Sequence, residues 1–535
     1  MLISRLVRAH RPEQCPDPCR PQKSGAVTRA APADRLSLRR GLRSVAALAI
    51  ALALCSLNPA IGQPSATRTA EEQKWIAQLP SGEAWLTHFR EDLLPFWNMP
   101  EAWGEPRGNF PTFRCNDGKL FTATNQCPEL AHAPAWIKEN AGREFVRMKS
   151  RQTYFYGVTY HLTGDPKMLE LARDGVRYIR SRALDKESGS AVSYWEGGKA
   201  EPPVLQRTSQ DLAYAQVGLA MYYYLTRDED VLKDILRLKD HIFSKYWNAQ
   251  WGMLMWVAKD EKHGEDTRKE LVAQLDQINA YMLLLTPILP EPYQAQWKKD
   301  LVRLAYVMIE QYFAPEQHLF WGTIHRAQDK HLGSRHTDFG HTAKALWMID
   351  RIGTLAGDRS LVDFAKSEAA EVLRRAYIPS SGSWGSRPQD GGGLDQGKEW
   401  WIYAELDELA ATLALSDPAF GRHLPHTYDY WLKYLVDHNQ HEVWGWVSGS
   451  DNKPSSGPKI HQWKNGYHSA EHALVAYLTT QALQGKPVTL YYAFATPTVG
   501  TRPYFFSGKV QESRAEPLPG FEGLQKIKMV FSDIR

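Results

Sequence analysis

From about Glu72 onward, apolar residues recur at the three-and-four spacing that puts them on one helical face, in long segments separated by loops rich in Gly, Pro and Trp. The pattern predicts twelve helices, at about 75–95, 141–164, 166–183, 208–226, 228–246, 266–287, 291–313, 339–356, 358–376, 396–415, 418–437 and 465–484. Tight turns such as Thr163-Gly164-Asp165-Pro166, Ala356-Gly357-Asp358 and Ser416-Asp417-Pro418 join some pairs. Long loops join others and repeat a theme: Trp251-Gly252, Trp321-Gly322, Trp384-Gly385 and Trp444-Gly445 recur at intervals of 70, 63 and 60 residues, the length of one helical hairpin with its loop. Such units bury their faces only against neighbours, and closing the row into a ring removes the unprotected ends. The expectation is an all-α fold, an (α/α)6 barrel of six hairpins, with short turns on one rim and long aromatic loops on the other. An open helical solenoid is the alternative. Beyond Gly485 the period changes: Leu490-Tyr491-Tyr492-Ala493-Phe494 and Lys528-Met529-Val530-Phe531 alternate like strands, which predicts a small C-terminal appendage over 486–535.

The chain of 535 residues is 43% hydrophobic and 23% charged, enough to bury one large core. Its first sixty-odd residues are unlike the rest. Arg39, Arg40 and Arg43 precede an apolar run from Val45 to Leu57, and Ala60-Ile61-Gly62 forms a small-x-small cleavage pattern before Gln63. This predicts a removed secretory leader over 1–62, a barrel domain over 63–485, no stable membrane insertion, and a periplasmic or secreted protein. The formal net charge of +4 becomes −3 once a leader carrying ten basic and three acidic residues is set aside. A mildly acidic chain without a basic stripe gives no reason to expect nucleic acid as a partner. Cys15, Cys19 and Cys55 fall in the leader; Cys115 and Cys127 remain, and in an exported protein a short-range disulfide is the favoured reading. No Cys/His metal spacing survives, and a monomer or homodimer is left open.

Nineteen tryptophans are many for this length, and Trp195, Trp251, Trp256, Trp321, Trp384, Trp444 and Trp446 lie in the long loops. Flat aromatic faces bind the C–H faces of pyranose rings, so the set suggests a carbohydrate-binding rim, whereas any one of them alone reads as loop packing. Among eighteen histidines, two stand out by context: His341 in Asp338-Phe339-Gly340-His341, and His468 in Trp463-Lys464-Asn465-Gly466-Tyr467-His468. Each opens a predicted helix, where a loop delivers the side chain to the ring mouth and the backbone dipole disfavours imidazolium. A neutral imidazole can take a proton as a base and return it as an acid.

Asp338 to His341 followed by Trp347, then Lys398-Glu399-Trp400-Trp401-Ile402-Tyr403-Ala404-Glu405, then Trp463-Lys464 through Tyr467-His468, resembles the ordered motif set of the N-acylglucosamine 2-epimerase and cellobiose 2-epimerase superfamily. Arg151, in Arg151-Gln152-Thr153-Tyr154, matches an earlier family arginine, and the resemblance spans roughly 140–480. It implies an (α/α)6 barrel in which two histidines on opposite sides of an opened sugar exchange the proton at C2, with no metal or organic cofactor. Carried over, His341 and His468 are the acid/base pair, Arg151 steadies the developing enediolate oxygen, and Trp400 helps shape the sugar site. Asn279, Lys344, Glu405, Trp463 and Tyr467 complete the expected substrate-binding set.

Four polar positions depart from the pattern. Lys344 stands where the family carries Glu, and Glu471 where it carries Arg; Leu283 and Thr286 replace a His and a Glu. Lys344 is read either as lowering the pKa of His341 by charge repulsion or as binding an anionic group on the substrate. The primary expectation is therefore an exported sugar epimerase or isomerase. A polysaccharide lyase would use Lys344, Arg151 and Tyr467 to neutralise a uronate carboxylate. A glycoside hydrolase would draw an opposed carboxylate pair from Glu405, Glu471, Asp338 and Asp390. A non-catalytic glycan-binding protein would use the Trp rim alone.

Overall fold

The computed structural model describes residues 68–200, 207–258, 268–496 and 500–535; the expected leader lies outside them. Twelve helices alternate between two rings. The outer ring is α1 (Gly82–His88), α3 (Pro166–Tyr178), α5 (Glu229–Lys245), α7 (Tyr293–Val307), α9 (Arg359–Ala376) and α11 (Leu424–Tyr430). The inner ring is α2 (Val146–Thr163), α4 (Ser209–Thr226), α6 (Leu271–Gln277), α8 (Phe339–Ala356), α10 (Trp400–Ala414) and α12 (Tyr467–Leu483). Burial separates the two classes. In α2 every residue but Thr163 is buried, whereas α5 buries one stripe, Val231, Leu232, Ile235, Leu238, Lys239 and Ile242. A helix buried all round belongs inside a ring and an amphipathic one outside it. The inner helices pack in sequence from α2 to α12, with the step from α6 to α8 made by the continuation of α6 at Leu283–Leu285, and α12 packs back on α2, closing the (α/α)6 barrel.

The repeated loop theme has a backbone cause. After five outer helices the chain makes a nine-residue excursion closed by the same amide-to-carbonyl bond: Val192 to Ala183, Met255 to Tyr246, Trp321 to Tyr312, Gly385 to Ala376 and Trp444 to Leu435, all at 2.7–2.8 Å. The Trp-Gly pairs ride on these excursions at different offsets, so the recurring interval reports the hairpin and not one conserved indole position.

Helix boundaries shift from the sequence expectation where another bond competes. The expected 75–95 helix is broken: a first helix ends at Gln78, Pro80 supplies no amide, and Ser81 caps α1 by accepting from Ala84 N at 3.1 Å. Helix α2 begins at Val146 because Arg143–Phe145 pairs with Tyr194–Glu196. Helix α10 begins at Trp400 because Lys398–Glu399 pairs with Trp446–Val447. Cys115 and Cys127 are disulfide-bonded, with Cα atoms 5.0 Å apart.

The C-terminal strands β1 (Val488–Phe494), β2 (Lys509–Pro517) and β3 (Gln525–Ser532) form an antiparallel sheet in the order β1-β3-β2. Strand β1 lies against α2, α4 and α12. Tyr160 donates to the Tyr492 carbonyl at 2.8 Å, and His161 Nδ1 sits 2.9 Å from the Tyr491 carbonyl. Among the described residues no helix is long and apolar enough to cross a membrane.

Ring closure depends on close approach of α2 and α4. Ser150 Oγ accepts from Gly218 N at 2.9 Å, and a Cβ at Gly218 would fall 2.5 Å from the Ser150 carbonyl oxygen. Gly218→Ala is therefore expected to destabilise the fold by about 1–3 kcal/mol through overpacking, read as a lowered urea midpoint with unchanged slope. An unchanged midpoint would contradict this packing.

Candidate active site

His341 sits in the first turn of α8 and His468 in the first turn of α12, both at the loop-bearing rim. Asp338 caps α8: one carboxylate oxygen accepts from His341 N at 2.8 Å, and the other lies 2.8 Å from His341 Nδ1. Capping and ring orientation are thus one device, and the spacing of Asp three residues before His was its visible signal. His468 Nδ1 faces Glu405 Oε1 on α10 at 3.6 Å. Both imidazoles lie against Trp401, whose ring centroid is 4.6 Å from that of His341 and 6.2 Å from that of His468.

The other expected residues collect around this pair, with two exceptions in orientation. Arg151 donates to the Trp463 carbonyl at 2.8 Å and stacks its guanidinium 4.0 Å over Tyr214 and 5.3 Å over Tyr467; its Nε has no hydrogen-bond partner. Asn279 lies in a π-helical turn that prolongs α6, and donates to the Tyr467 hydroxyl at 2.9 Å. Tyr467 packs against His468 with ring centroids 4.8 Å apart. Trp400, by contrast, turns towards His461 and the Lys464 ammonium, and its neighbour Trp401 is the indole that meets both histidines. Trp463 offers its carbonyl to Arg151 while its ring lies 3.8 Å beneath the Arg147 guanidinium.

Lys344 does not present a free cation. Its ammonium is buried, 2.8 Å from Asp276 Oδ1 and 3.1 Å from the Tyr214 hydroxyl. Gln210 and Tyr214 donate to the same Asp276 carboxylate at 2.7 and 3.0 Å. Burial acts to neutralise the lysine, but Asp276, Tyr214 and Glu405 outweigh it and hold its pKa above the ordinary value. The expectation that Lys344 binds a substrate anion or tunes His341 gives way to this ion pair. Its partner is 68 residues earlier on another helix, which no local pattern reveals.

Beyond Lys344 lie buried carboxyls. Burial, and against Lys344 the charge of Glu471, push Glu405 up to about 8. Glu471 and Glu408 are also raised, chiefly by burial. His468 is held well below the ordinary histidine value by burial, reinforced by Arg151, Lys344, Lys464 and His341. Glu405, His468 and Glu471 bring one ligand-type atom each within 4.8 Å of one another, but the positive fields of Lys344 and Arg151 on the same atoms favour a shared proton over a divalent cation. Glu405 and Glu471 stand on neighbouring helices beside one histidine, Asp338 is engaged by His341, and Asp390 lies exposed in a loop.

The seven loop tryptophans divide. Trp446 is 40% exposed. Trp384 is core, donating to Asp407 at 2.8 Å, and Trp256 is buried beside Arg335. Trp251 lies under the Lys269 ammonium, Trp444 under Lys459, Trp195 against Tyr178, and Trp321 is half-buried.

A closed double ring of helices with a carboxylate-backed histidine pair at its mouth defines the class as an (α/α)6-barrel enzyme. The N-acylglucosamine 2-epimerase (GlcNAc 2-epimerase) family model matches residues 130–472, and the chain belongs to that family of sugar epimerases. Cellobiose 2-epimerase of Ruminococcus albus is 22% identical over 341 residues, covering 61% of this chain and 85% of the relative. The structure of cellobiose 2-epimerase from Spirochaeta thermophila superposes with a TM-score of 0.62 at 16% identity, over 78% of this chain and 100% of that one. A D-mannose isomerase superposes with a TM-score of 0.60 at 14% identity, over 77% and 100%. At these identities the structural likeness speaks for the fold.

Removing one partner of the buried pair is the expected weak point. Asp276→Ala should cost about 3–5 kcal/mol because it strands the Lys344 charge, while the double variant Asp276→Asn with Lys344→Met should recover most of that loss in urea unfolding. A single-variant cost below about 1 kcal/mol would contradict the pairing.

Proposed function

We propose that the protein is a cofactor-independent sugar 2-epimerase or aldose–ketose isomerase that moves the C2 proton of an opened reducing sugar between His341 and His468. The observation that carries this reading is the matched build of the two histidines. Each opens an inner helix, each faces a carboxylate on Nδ1 (Asp338 at 2.8 Å, Glu405 at 3.6 Å), and both border the Trp401 ring. With Nδ1 turned to a carboxylate, Nε2 is the nitrogen left for a substrate proton.

Ring opening of the sugar exposes a carbonyl at C1 and makes the C2 proton acidic. One imidazole takes that proton, and the electron pair moves into a C1–C2 double bond, leaving negative charge on the carbonyl oxygen. The other imidazole returns a proton to the opposite face of C2, giving the epimer; protonation at C1 instead, with the O2 proton passing to O1 as C2 becomes the carbonyl, gives the ketose. Arg151, with an unpartnered Nε–H, is the donor for the enediolate oxygen. The cellobiose 2-epimerase relative supports a reducing sugar as the substrate class. The basic and apolar leader and the Cys115–Cys127 disulfide support export to an oxidising compartment.

The lyase reading loses its principal cation because Lys344 is paired with Asp276. For the hydrolase reading, Glu405 and Glu471 bring carboxyl oxygens within 4.8 Å of each other beside one histidine, closer than the roughly 5–9.5 Å that two opposed catalytic carboxyls keep.

Wild-type protein in deuterium oxide, given neutral and acidic reducing sugars, should form an epimer or ketose carrying deuterium at the new C–H, followed by NMR. His341→Ala and His468→Ala should each lower product formation by at least about 100-fold; turnover surviving in both would contradict the mechanism. The pH profile is a second check. His468 stays neutral well below pH 6.5, whereas Glu405, raised to about 8, is protonated below that pH and ionised above it. Turnover should rise through about pH 8 as the carboxylate behind His468 ionises, and Glu405→Gln should leave only a flat residual rate over that range.

A further inference from the structure

The family match ends at residue 472, yet Tyr504 and Phe505 of the C-terminal appendage reach the groups around the carboxyls beside His468. Tyr504 holds a left-handed backbone, φ 58°, which is costly for an aromatic residue and persists only where its surroundings impose it. Those surroundings are specific. Its amide donates to the Tyr224 hydroxyl at 2.8 Å, and its ring lies 3.8 Å from that of Phe505. Its hydroxyl donates to Glu471 Oε1 at 2.7 Å and lies 2.6 Å from the Tyr154 hydroxyl. Phe505 in turn packs 5.3 Å from Trp347, whose N–H donates to Glu405 Oε2 at 2.9 Å. Each carboxyl beside His468 therefore has one oxygen held from behind by an aromatic donor, while Glu405 Oε1 and Glu471 Oε2 have no hydrogen-bond partner.

We propose that Tyr504 is a positioning residue of the active site: its hydroxyl, donating to Glu471 Oε1, holds that carboxyl beside Glu405 and His468, so that the appended C-terminal segment sets the charge felt by the histidine's carboxyl partner. The groups facing this pair are Glu408 on α10, Lys344 on α8, Asp276 on α6, Arg151 on α2, and Tyr467 and His468 on α12. A hydrogen bond donated to Glu471 favours its charged form, and that charge opposes ionisation of Glu405. Without the hydroxyl, Glu471 is raised further, its repulsion of Glu405 weakens, and Glu405 ionises at lower pH. The activity arm of this inference rests on the proposed epimerase reading; the titration arm does not.

The experiment compares the full chain with Tyr504→Phe, Glu471→Gln and the double variant. The titration arm follows the ring signals of His468 by NMR in imidazole-labelled protein without substrate, which report the adjacent carboxyl. The activity arm follows the pH dependence of epimer formation. Tyr504→Phe should move the midpoint of both down by about one pH unit, with KM changed less than about two-fold. Glu471→Gln should do the same, and the double variant should move it no further, because both act on one charge. A moved NMR midpoint in a protein that turns over no sugar would keep the positioning role and overturn the epimerase reading. A midpoint unmoved in Tyr504→Phe, or moves that add in the double variant, would overturn the proposal. Should Tyr504→Phe fail to fold, Glu471→Gln decides: a midpoint that does not fall overturns it.

Discussion

Everything at this site depends on balancing charge inside a closed ring of helices. The interior of the barrel is buried, yet it holds Lys344, Asp276, Arg151, Glu405, Glu408 and Glu471. None of these charges is cheap to bury alone. The pairing of Lys344 with Asp276 at 2.8 Å, with Tyr214 and Gln210 completing the carboxylate's bonds, offsets two of those costs and ties α4, α6 and α8 together. The surplus carboxyls are then met by protons and aromatic donors. That is why Glu405 is raised to about 8 beside a histidine held neutral.

The same economy explains how the histidines are aimed. A helix N-terminus needs a cap and disfavours an imidazolium, and Asp338 answers the first need while orienting His341. At α12 no side chain caps the helix, and the orienting carboxylate comes from α10 instead. Two different local solutions bring both imidazoles against one indole.

The ring of hairpins was legible because each helix carries its own periodicity and each turn its own Gly, Asp or Pro. His341 and His468 were legible because their motifs are local. What escaped was set by distance or by phase. Trp400 and Trp401 are adjacent in sequence but about 100° apart on α10, and only packing shows that Trp401 is the one that meets both histidines. Lys344 reads as an available cation until Asp276 arrives from another helix. The regular Trp-Gly interval reported a backbone excursion, with Trp384 serving the core and Trp321 left half-buried. Nothing in the strand-like tail announces that Tyr504 returns to Glu471.

The central claim is that two bases work on opposite faces of one carbon, and the most direct test is the sidedness of exchange in single variants. Each epimer of a turned-over sugar would be incubated separately in deuterium oxide with His341→Ala and with His468→Ala, and loss of the C2 proton signal followed by NMR. The account predicts that each variant exchanges the C2 proton of one epimer only, and that the two variants choose opposite epimers. Exchange of both epimers by either variant would mean that a single base serves both faces, and would contradict it.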